Sequence, residues 1–488
     1  MELGRSATMT PQLIVPFGSA DWAAVAPPTI VGVAALVVIL ADLMLPRRAR
    51  RISAIALGIV GLIIAGIVAL QGWHHPYVAF GGAFIEGGFA IVFEGIVIVA
   101  AIFSLLMSYG FARDDQIGGA IALMLWSATG AMLMAGAANL MMIFLGLELL
   151  SLALYCLCGL AARASAREAA LKYLILSSTA SGFLLYGMAL LFGATGSIAL
   201  AALANPPISA ALFDIGCGMF LVGLCFKLSL APFHVWTPDV FEGAPLPVTA
   251  FMSVVTKAGA LAAVARFAYA ALPQRDHAAI LIPLWIVAAI SMIVGNVGAL
   301  AQTDIKRLLA YSGIAQLGYI VAAMAGTSAL GLRYAIFYLG AYMFMNLGAF
   351  AVVALLSREN DEGSRLASFA GLGQRQPVLA GLMTFFLLAL AGLPPTAGFT
   401  GKILILATDV NTGYVWLAVL LIVGTAISVY AYFKIVRAMY ARTVGAPVLP
   451  RFVPASALPW VGVVLCAIAT LGLGLYPFAP SDILPLVK

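Results

Sequence analysis

The sequence predicts an all-α polytopic membrane protein of about fourteen transmembrane helices, arranged around two inverted five-helix repeats that each contain a broken helix. Three observations carry that expectation. Of the 488 residues, 64% are hydrophobic and only 9% charged, and the mean hydropathy of +1.09 exceeds what a water-soluble fold of this length sustains. The apolar residues come in long unbroken runs, such as VGVAALVVILADLML and FEGIVIVAAIFSLLM, rather than the short alternating segments of a transmembrane barrel. Two of the runs are interrupted by proline beside a solitary lysine, the pattern of a discontinuous helix.

Windows of about 20 apolar residues fall near residues 26–45, 52–71, 89–109, 117–135, 139–161, 169–193, 212–236, 246–271, 279–300, 306–326, 332–356, 378–408, 413–438 and 457–476. The opening segment MELGRSATMTPQLIVPFGSADW has no charged stretch running into an apolar core and a cleavage site, so no removable signal peptide is expected. Orientation follows from the basic residues between spans. One side collects Arg47, Arg48, Arg50, Arg51, Arg113, Arg163, Arg167, Lys306, Arg307, Arg358, Arg365, Arg375, Arg437, Arg442 and Arg451. The other holds only Arg5, Arg266, Arg275, Arg333 and Lys488. The positive-inside rule makes the first side cytoplasmic, and an even number of spans then puts both termini outside.

The net charge of +6 is read as this topology signal and not as a nucleic-acid footprint. The PRRARR loop at 46–51 is a stop signal of the same kind. His74 and His75 are adjacent in an outer loop, diverge, and make a poor metal site. The connection 357–377 mixes both charge signs with glycine and reads as a solvent-facing or docking surface. Cys156 and Cys158 point to different sides of a helix, and Cys217, Cys225 and Cys466 lie alone in apolar spans, so the cysteines are expected to be small buried hydrophobes and no metal ligand set is expected.

The chemistry is expected where charges stand alone in hydrocarbon. Lys227 is the only charged residue from Ile215 to Ala231, Lys257 from Val248 to Ala265, and Lys402 from Pro377 to Thr408; Glu148 is the only ionisable carboxyl from Ile117 to Ala162. Each such charge costs about 2.5–3.5 kcal/mol on insertion scales, so it is retained for a function. Glu148 is a candidate counter-ion for Lys227. His234 lies in the proline-rich joint between the two central lysines, and Lys172, one turn into a helix behind Arg167 and Glu168, serves either at the interface or in the buried set. Pro394 and Pro395 precede Lys402 as Pro232 follows Lys227, so two broken helices stand five spans apart. A repeat of five spans must be inverted relative to its copy. The resulting division is helices 1–3 in residues 1–115, repeat one (helices 4–8) in 116–273, repeat two (helices 9–13) in 274–442, and helix 14 in 443–488. No GxGxxG, nucleophile elbow or soluble nucleotide domain is present, so the row of intramembrane ionisable groups reads as a proton path.

The segments FLGLELLSLALY, EAALKYLILSSTASGFLLYG, FKLSLAPFHVWTPDVFEGAPLPVTAFMSVVTKAG, DIKRLLAYSGIAQLGY and LAGLPPTAGFTGK resemble the subunit N family of the proton-pumping NADH-quinone oxidoreductase, respiratory complex I, one branch of the antiporter-like subunits. The resemblance covers residues 120–440. It implies that Glu148, Lys227, Lys257 and Lys402 are the proton-carrying residues, with His234 and Lys172 as further polar members of the axis. It implies no cofactor in this chain, with NADH, FMN, iron–sulfur clusters and quinone in partner subunits. The partners it implies are the antiporter-like M and L and the small K and J subunits in a bacterial inner (cytoplasmic) membrane, with no nucleic acid. The alternative is a stand-alone Mrp-type cation/proton antiporter subunit, whose proton path would look the same.

Overall fold

The computed structural model describes residues 18–110, 116–205, 207–271, 278–324, 328–356, 364–441 and 458–477. The basic residues Arg5, Arg113, Arg275, Arg358, Arg442, Arg451 and Lys488, used above to orient the chain, lie outside them, as do the first seven residues of the 357–377 connection and most of the N-terminal segment.

Among the described residues the chain is helical apart from one short hairpin. The first three long helices are α1 (Ser19–Met44), α2 (Arg47–Ala69) and α3 (Gly88–Met107), with strands β1 (Tyr77–Ala79) and β2 (Phe84–Glu86) pairing antiparallel between α2 and α3. Next come α4 (Ile117–Gly136), α5 (Leu140–Cys158), α6 (Ala164–Thr195), α7 (Ala210–Leu228), the short α8 (Trp236–Gly243) and α9 (Leu246–Ala271). The second half comprises α10 (Ala278–Leu300), α11 (Ile305–Met324), α12 (Ala329–Leu356), a one-turn α13 (Leu372–Arg375), α14 (Pro377–Ala391), α15 (Ala397–Asn411) and α16 (Val415–Tyr440), and α17 (Leu458–Leu475) closes the described chain.

Twelve of these are individually long and apolar enough to cross a membrane. The remaining two predicted spans are met differently. α11 has the length, but Lys306, Arg307, Ser312 and Gln316 dilute its apolar run. The span expected over 378–408 is divided into α14 and α15, each of 15 residues. The first helix begins at Ser19 rather than near residue 26, because the helix continues through Pro27 and Pro28. Its end is closed by Asp21, whose carboxylate accepts from Gly18 N (2.9 Å) and Phe80 N (2.8 Å).

The two breaks share a construction. α7 stops where Ser229 takes a left-handed conformation (φ 62°), and the amides of Ser229 and Leu230 turn back to the Phe226 and Cys225 carbonyls at 3.0 Å. α14 stops in the same way at Gly392 (φ 88°), with Gly392 N on Leu388 O and Leu393 N on Leu388 O. This is the usual left-handed helix stop, and it leaves the last carbonyls of each helix free for other donors. Each break then runs through an X–Pro bond in the cis form, Ala231–Pro232 and Pro394–Pro395. At Gly392 a side chain is barred twice, by the positive φ and by Lys402 Cδ, which a Cβ would meet at 3.0 Å.

α9 is the central post: all of its described window is buried, enclosed by α3, α4, α5, α7 and α12. The outer faces of α1, α2, α6 and α16 instead expose large apolar side chains such as Leu40, Ile67, Leu171 and Tyr430, the surface a bilayer or a neighbouring membrane subunit covers. Helix pairs meet through glycine. A Cβ on Gly187 of α6 would overlap Phe220 N of α7, and one on Gly146 of α5 would meet Gly130 O at 2.7 Å. His74 and His75 are exposed in the turn before the hairpin.

Because the α6–α7 contact is backbone against backbone, Gly187→Ala should lower the melting temperature of the purified protein by an overpacking cost of roughly 1–3 kcal/mol. Gly182→Ala on the same helix, where the added methyl meets nothing within 4 Å, should leave it unchanged; equal melting temperatures for the two variants would refute the close α6–α7 seam.

Candidate functional site

The site begins on α6. Tyr173, Ser177 and Ser181 recur every fourth residue, so one face of the helix presents a ladder of hydroxyls. Lys227, in the last turn of α7 and 1% exposed, donates to Tyr173 Oη at 3.0 Å and Ser177 Oγ at 3.4 Å. Its ammonium also stands 4.9 Å from the Tyr173 ring centroid, a cation–π contact that strengthens away from water. One turn along, Ser181 Oγ donates to Glu148 Oε1 of α5 at 2.5 Å. Glu148 is the candidate counter-ion for Lys227, and a direct ion pair would be the closest form of that pairing. No such ion pair forms among the described residues: α6 lies between α5 and α7, and its hydroxyls separate the carboxylate from the ammonium while the two charges remain within electrostatic reach.

The second lysine uses the first break. Lys257 of α9 is buried and donates to the freed carbonyl of Lys227 at 3.3 Å and to Ser229 Oγ. Thr237 Oγ1 of α8 supports Ser229 at 2.7 Å. The lysine head lies 5.1 Å from the Trp236 ring centroid. Trp236 stacks on Tyr173 (4.7 Å, 15°) and is tied by its indole N–H to Phe226 O at 3.0 Å. Lys227 and Lys257 therefore share one aromatic wall, and the Lys257 ammonium is bonded to the backbone carbonyl of Lys227 itself.

The third lysine occupies the second break. Lys402 of α15 is buried and donates to Leu390 O and Ala391 O, both at 3.1 Å, with its ammonium 5.0 Å from the Tyr319 ring. Leu390 O also accepts from Gln316 Nε2 of α11 at 3.1 Å, and Gln316 Oε1 accepts from Tyr338 of α12. Asn296 of α10 donates to Tyr319 Oη at 2.8 Å. The two clusters are tied across the centre by Asn346 of α12, whose amide donates to Ser253 Oγ of α9 at 2.6 Å; Ser253 stands one turn from Lys257 on the same helix.

His234 sits in the first break and turns toward α11, its ring 6.4 Å from that of Tyr311, with Nδ1 buried and without a hydrogen-bond partner. Lys172 is not brought into the buried row. Its ammonium bridges Glu168 and Asp239, each at 2.9 Å, with 43% of the side chain exposed. Arg307 completes the group by pairing with Asp239 at 2.6 Å and Glu242 at 3.0 Å. These charges line a polar cavity of about 720 Å³ on the arginine-rich side, bounded also by Arg163, Asp304 and Arg365. Two cations placed in loops by the sequence are buried. Lys306 donates to Ala244 O at 2.7 Å, and Arg266 holds Ala135 O at 2.7 Å and Ile85 O at 3.2 Å. Both sit in helices whose ends are covered by neighbouring elements.

The sequence did not single out Tyr173, Ser177, Ser181, Ser229, Trp236, Gln316 or Asn346. The ladder on α6 was readable from its four-residue spacing; the others acquire a role only when separate helices meet. Among the described residues no group of three or more His, Cys, Asp or Glu is placed to hold a metal ion.

A family model described as the NADH:quinone oxidoreductase/Mrp antiporter transmembrane region matches residues 137–428. The chain is 40% identical over 467 residues to NADH-quinone oxidoreductase subunit N 1 of Symbiobacterium thermophilum, covering 92% of this chain and 95% of that protein. Among solved structures it is similar to a chain of respiratory complex I from Thermus thermophilus, at 35% identity and a TM-score of 0.80 over 92% of this chain and 97% of that one. A chain of the Mrp complex from Dietzia superposes at a TM-score of 0.78 over 92% of this chain and 94% of that one, but at 19% identity, which shows a common fold alone.

The hydroxyls on α6 are what make a buried Lys227 ammonium tolerable. Tyr173→Phe with Ser177→Ala should destabilise the protein by roughly 1.5–3 kcal/mol for each lost bond to a charged group, and adding Lys227→Met should recover most of the loss. Melting temperatures of the double and triple variants decide it: a triple variant no more stable than the double one would show that the hydroxyls do not serve the lysine.

Proposed function

Because this chain belongs to the family of NADH-quinone oxidoreductase subunit N, we propose that it moves protons across the membrane as one subunit of a larger oxidoreductase assembly. The observation that carries the proposal is the row formed by Lys227, Lys257 and Lys402 inside the helix bundle. All three are buried, and two of them are seated on carbonyls that the helix breaks set free.

The electrostatics follow from that seating. An ammonium buried in a medium of low dielectric is stable only while oxygen atoms and nearby negative charge compensate it. Glu148 supplies that charge at one end through Ser181 and the α6 ladder. The Lys257 ammonium is bonded to the backbone carbonyl of Lys227, so the two lysines are neighbours and protonation of one disfavours protonation of the other. At an effective dielectric near 20, unit charges roughly 5–10 Å apart repel by about 2–3 kcal/mol. A change of charge at Glu148 therefore propagates along the row as a change in which lysine holds a proton. Carrying one charge against the membrane potential requires about 2.3 kcal/mol per 100 mV, which is the same order as these couplings.

The reading assigns further parts. Residues 116–273 and 274–442 form two inverted halves, each with one broken helix. The cavity lined by Glu168, Lys172, Asp239 and Arg307 opens on the side read as cytoplasmic and concentrates water and protons beside α8, so Lys172 acts at the entrance and His234 at the joint. NADH, FMN, iron–sulfur clusters and quinone belong to other subunits, whose redox step biases the row. The neighbours are the M and L antiporter-like and the small K and J subunits of a bacterial inner membrane, with both termini on the outer side.

Lys257→Met in the assembled complex should reduce proton translocation per electron pair severely while assembly and electron transfer to quinone remain measurable. The readout is acidification coupled to NADH oxidation in sealed vesicles. A normal proton-to-electron ratio in that variant would remove Lys257 from the path.

A further inference from the structure

Away from the lysine row, the structure buries two carboxyl groups against each other. Glu86, at the end of β2, and Glu94, two turns into α3, are 1% and 0% exposed. All four of their carboxyl oxygens are buried without a hydrogen-bond donor, while the two side chains meet closely enough to hydrogen-bond each other once one carries a proton. Buried acceptors of this kind are rarely left unsatisfied, and two adjacent carboxylates cannot both remain ionised in such a site.

Among the described residues, Arg266 supplies positive charge to the pair. Arg266 of α9 is buried beside the pair, with its Nη on Ile85 O (3.2 Å), its Nε on Ala135 O (2.7 Å), and its guanidinium 4.9 Å from the Phe89 ring. With the arginine and both carboxylates charged, the cluster carries a net negative charge; with one proton added it is neutral. The other titratable groups of the hairpin, α3, α4 and α9, and Asp21 of α1, do not compensate it. Tyr77 pairs with Glu86 across the hairpin. Asp21 of α1 is engaged with Gly18 N and Phe80 N. His74 and His75 are exposed. α4 has no ionisable residue, and α3 has none besides Glu94. On α9 the remaining groups are Tyr269, bonded to Ser328 O, and Lys257, nine residues away in the first break. Burial pushes the Glu86 carboxyl up, although the Glu94 contact and Arg266 oppose it.

We propose that Glu86 and Glu94 hold one shared, exchangeable proton, forming a proton-binding site at the end of α9 opposite the arginine-rich cavity. It stands at the far end of the helix that carries Lys257, about 14 Å along the axis at 1.5 Å per residue. Its existence depends on the local charge balance and not on the proposed translocation.

The test uses infrared difference spectroscopy on the purified assembly at pH 7, comparing the wild type with Glu94→Gln and Glu86→Gln. Either amide replaces the shared proton with its own N–H donors and leaves a carboxylate–arginine pair, so one protonated-carboxyl C=O band should be lost in each variant. The wild-type band should also shift on transfer to D₂O. Unchanged band intensity in both variants would overturn the site, and a band that does not shift in D₂O would overturn its exchange. Arg266→Gln gives an independent arm, because removing the positive charge should add a protonated carboxyl; no added band there would count against the charge balance. None of these measurements requires turnover, so they stand or fall apart from the Lys257 result.

Discussion

The interaction on which the rest depends is the contact between a buried ammonium and carbonyls that no longer belong to a helix. In hydrocarbon every peptide group has to be satisfied internally, so a continuous helix has no acceptors to offer a lysine. By stopping α7 at Ser229 and α14 at Gly392, the fold creates acceptors at the depth where Lys257 and Lys402 arrive. The breaks and the lysines are thus mutually required: each is costly alone, and together they satisfy one another. Aromatic faces complete the seats, Tyr173 under Lys227, Trp236 under Lys257 and Tyr319 under Lys402.

The two breaks solve the problem with different connectivity. In the first, the lysine comes from α9, the next long helix, so the joint fastens α7 to the centre of the molecule. In the second, Lys402 reaches back from α15 to the end of α14, the helix immediately before it. Gln316 and Lys402 then share one acceptor, Leu390 O, which ties the second break to α11. α9 and α12 stand between the two clusters, and Asn346 to Ser253 is the polar link across that seam. The central position of α9 explains why it tolerates Lys257 and Arg266: each charge meets oxygen acceptors and an aromatic ring.

Much of this was legible from particular residues. The isolation of Lys227, Lys257 and Lys402 in apolar runs, and the prolines beside two of them, predicted broken helices with buried charges, and the helices that formed bear this out. That Glu148 stands across the α6 hydroxyls from Lys227, and not in direct contact with it, was not legible, because adjacency of helices α5, α6 and α7 is a property of packing and not of spacing along the chain. Lys172 resolved to the polar cavity once Asp239, sixty-seven residues away, was placed beside it. Arg266 and Lys306 looked like loop cations because span ends were read from hydropathy, which does not register a carbonyl brought in from another helix. Glu94 lay unnoticed inside an apolar run for want of any visible partner.

By itself the sequence determined that the chain spans a membrane, about how many times, where its helices break and that Lys227, Lys257 and Lys402 stand in hydrocarbon, because these follow from the one-dimensional cost of placing polar groups there. Only the tertiary structure decided which oxygen each lysine meets, that Lys257 donates to the backbone carbonyl of Lys227, and that Glu86 and Glu94 face each other. Those are contacts between segments far apart in the chain, and hydrogen-bond geometry over about 3 Å is set by how helices pack and not by the order of their residues.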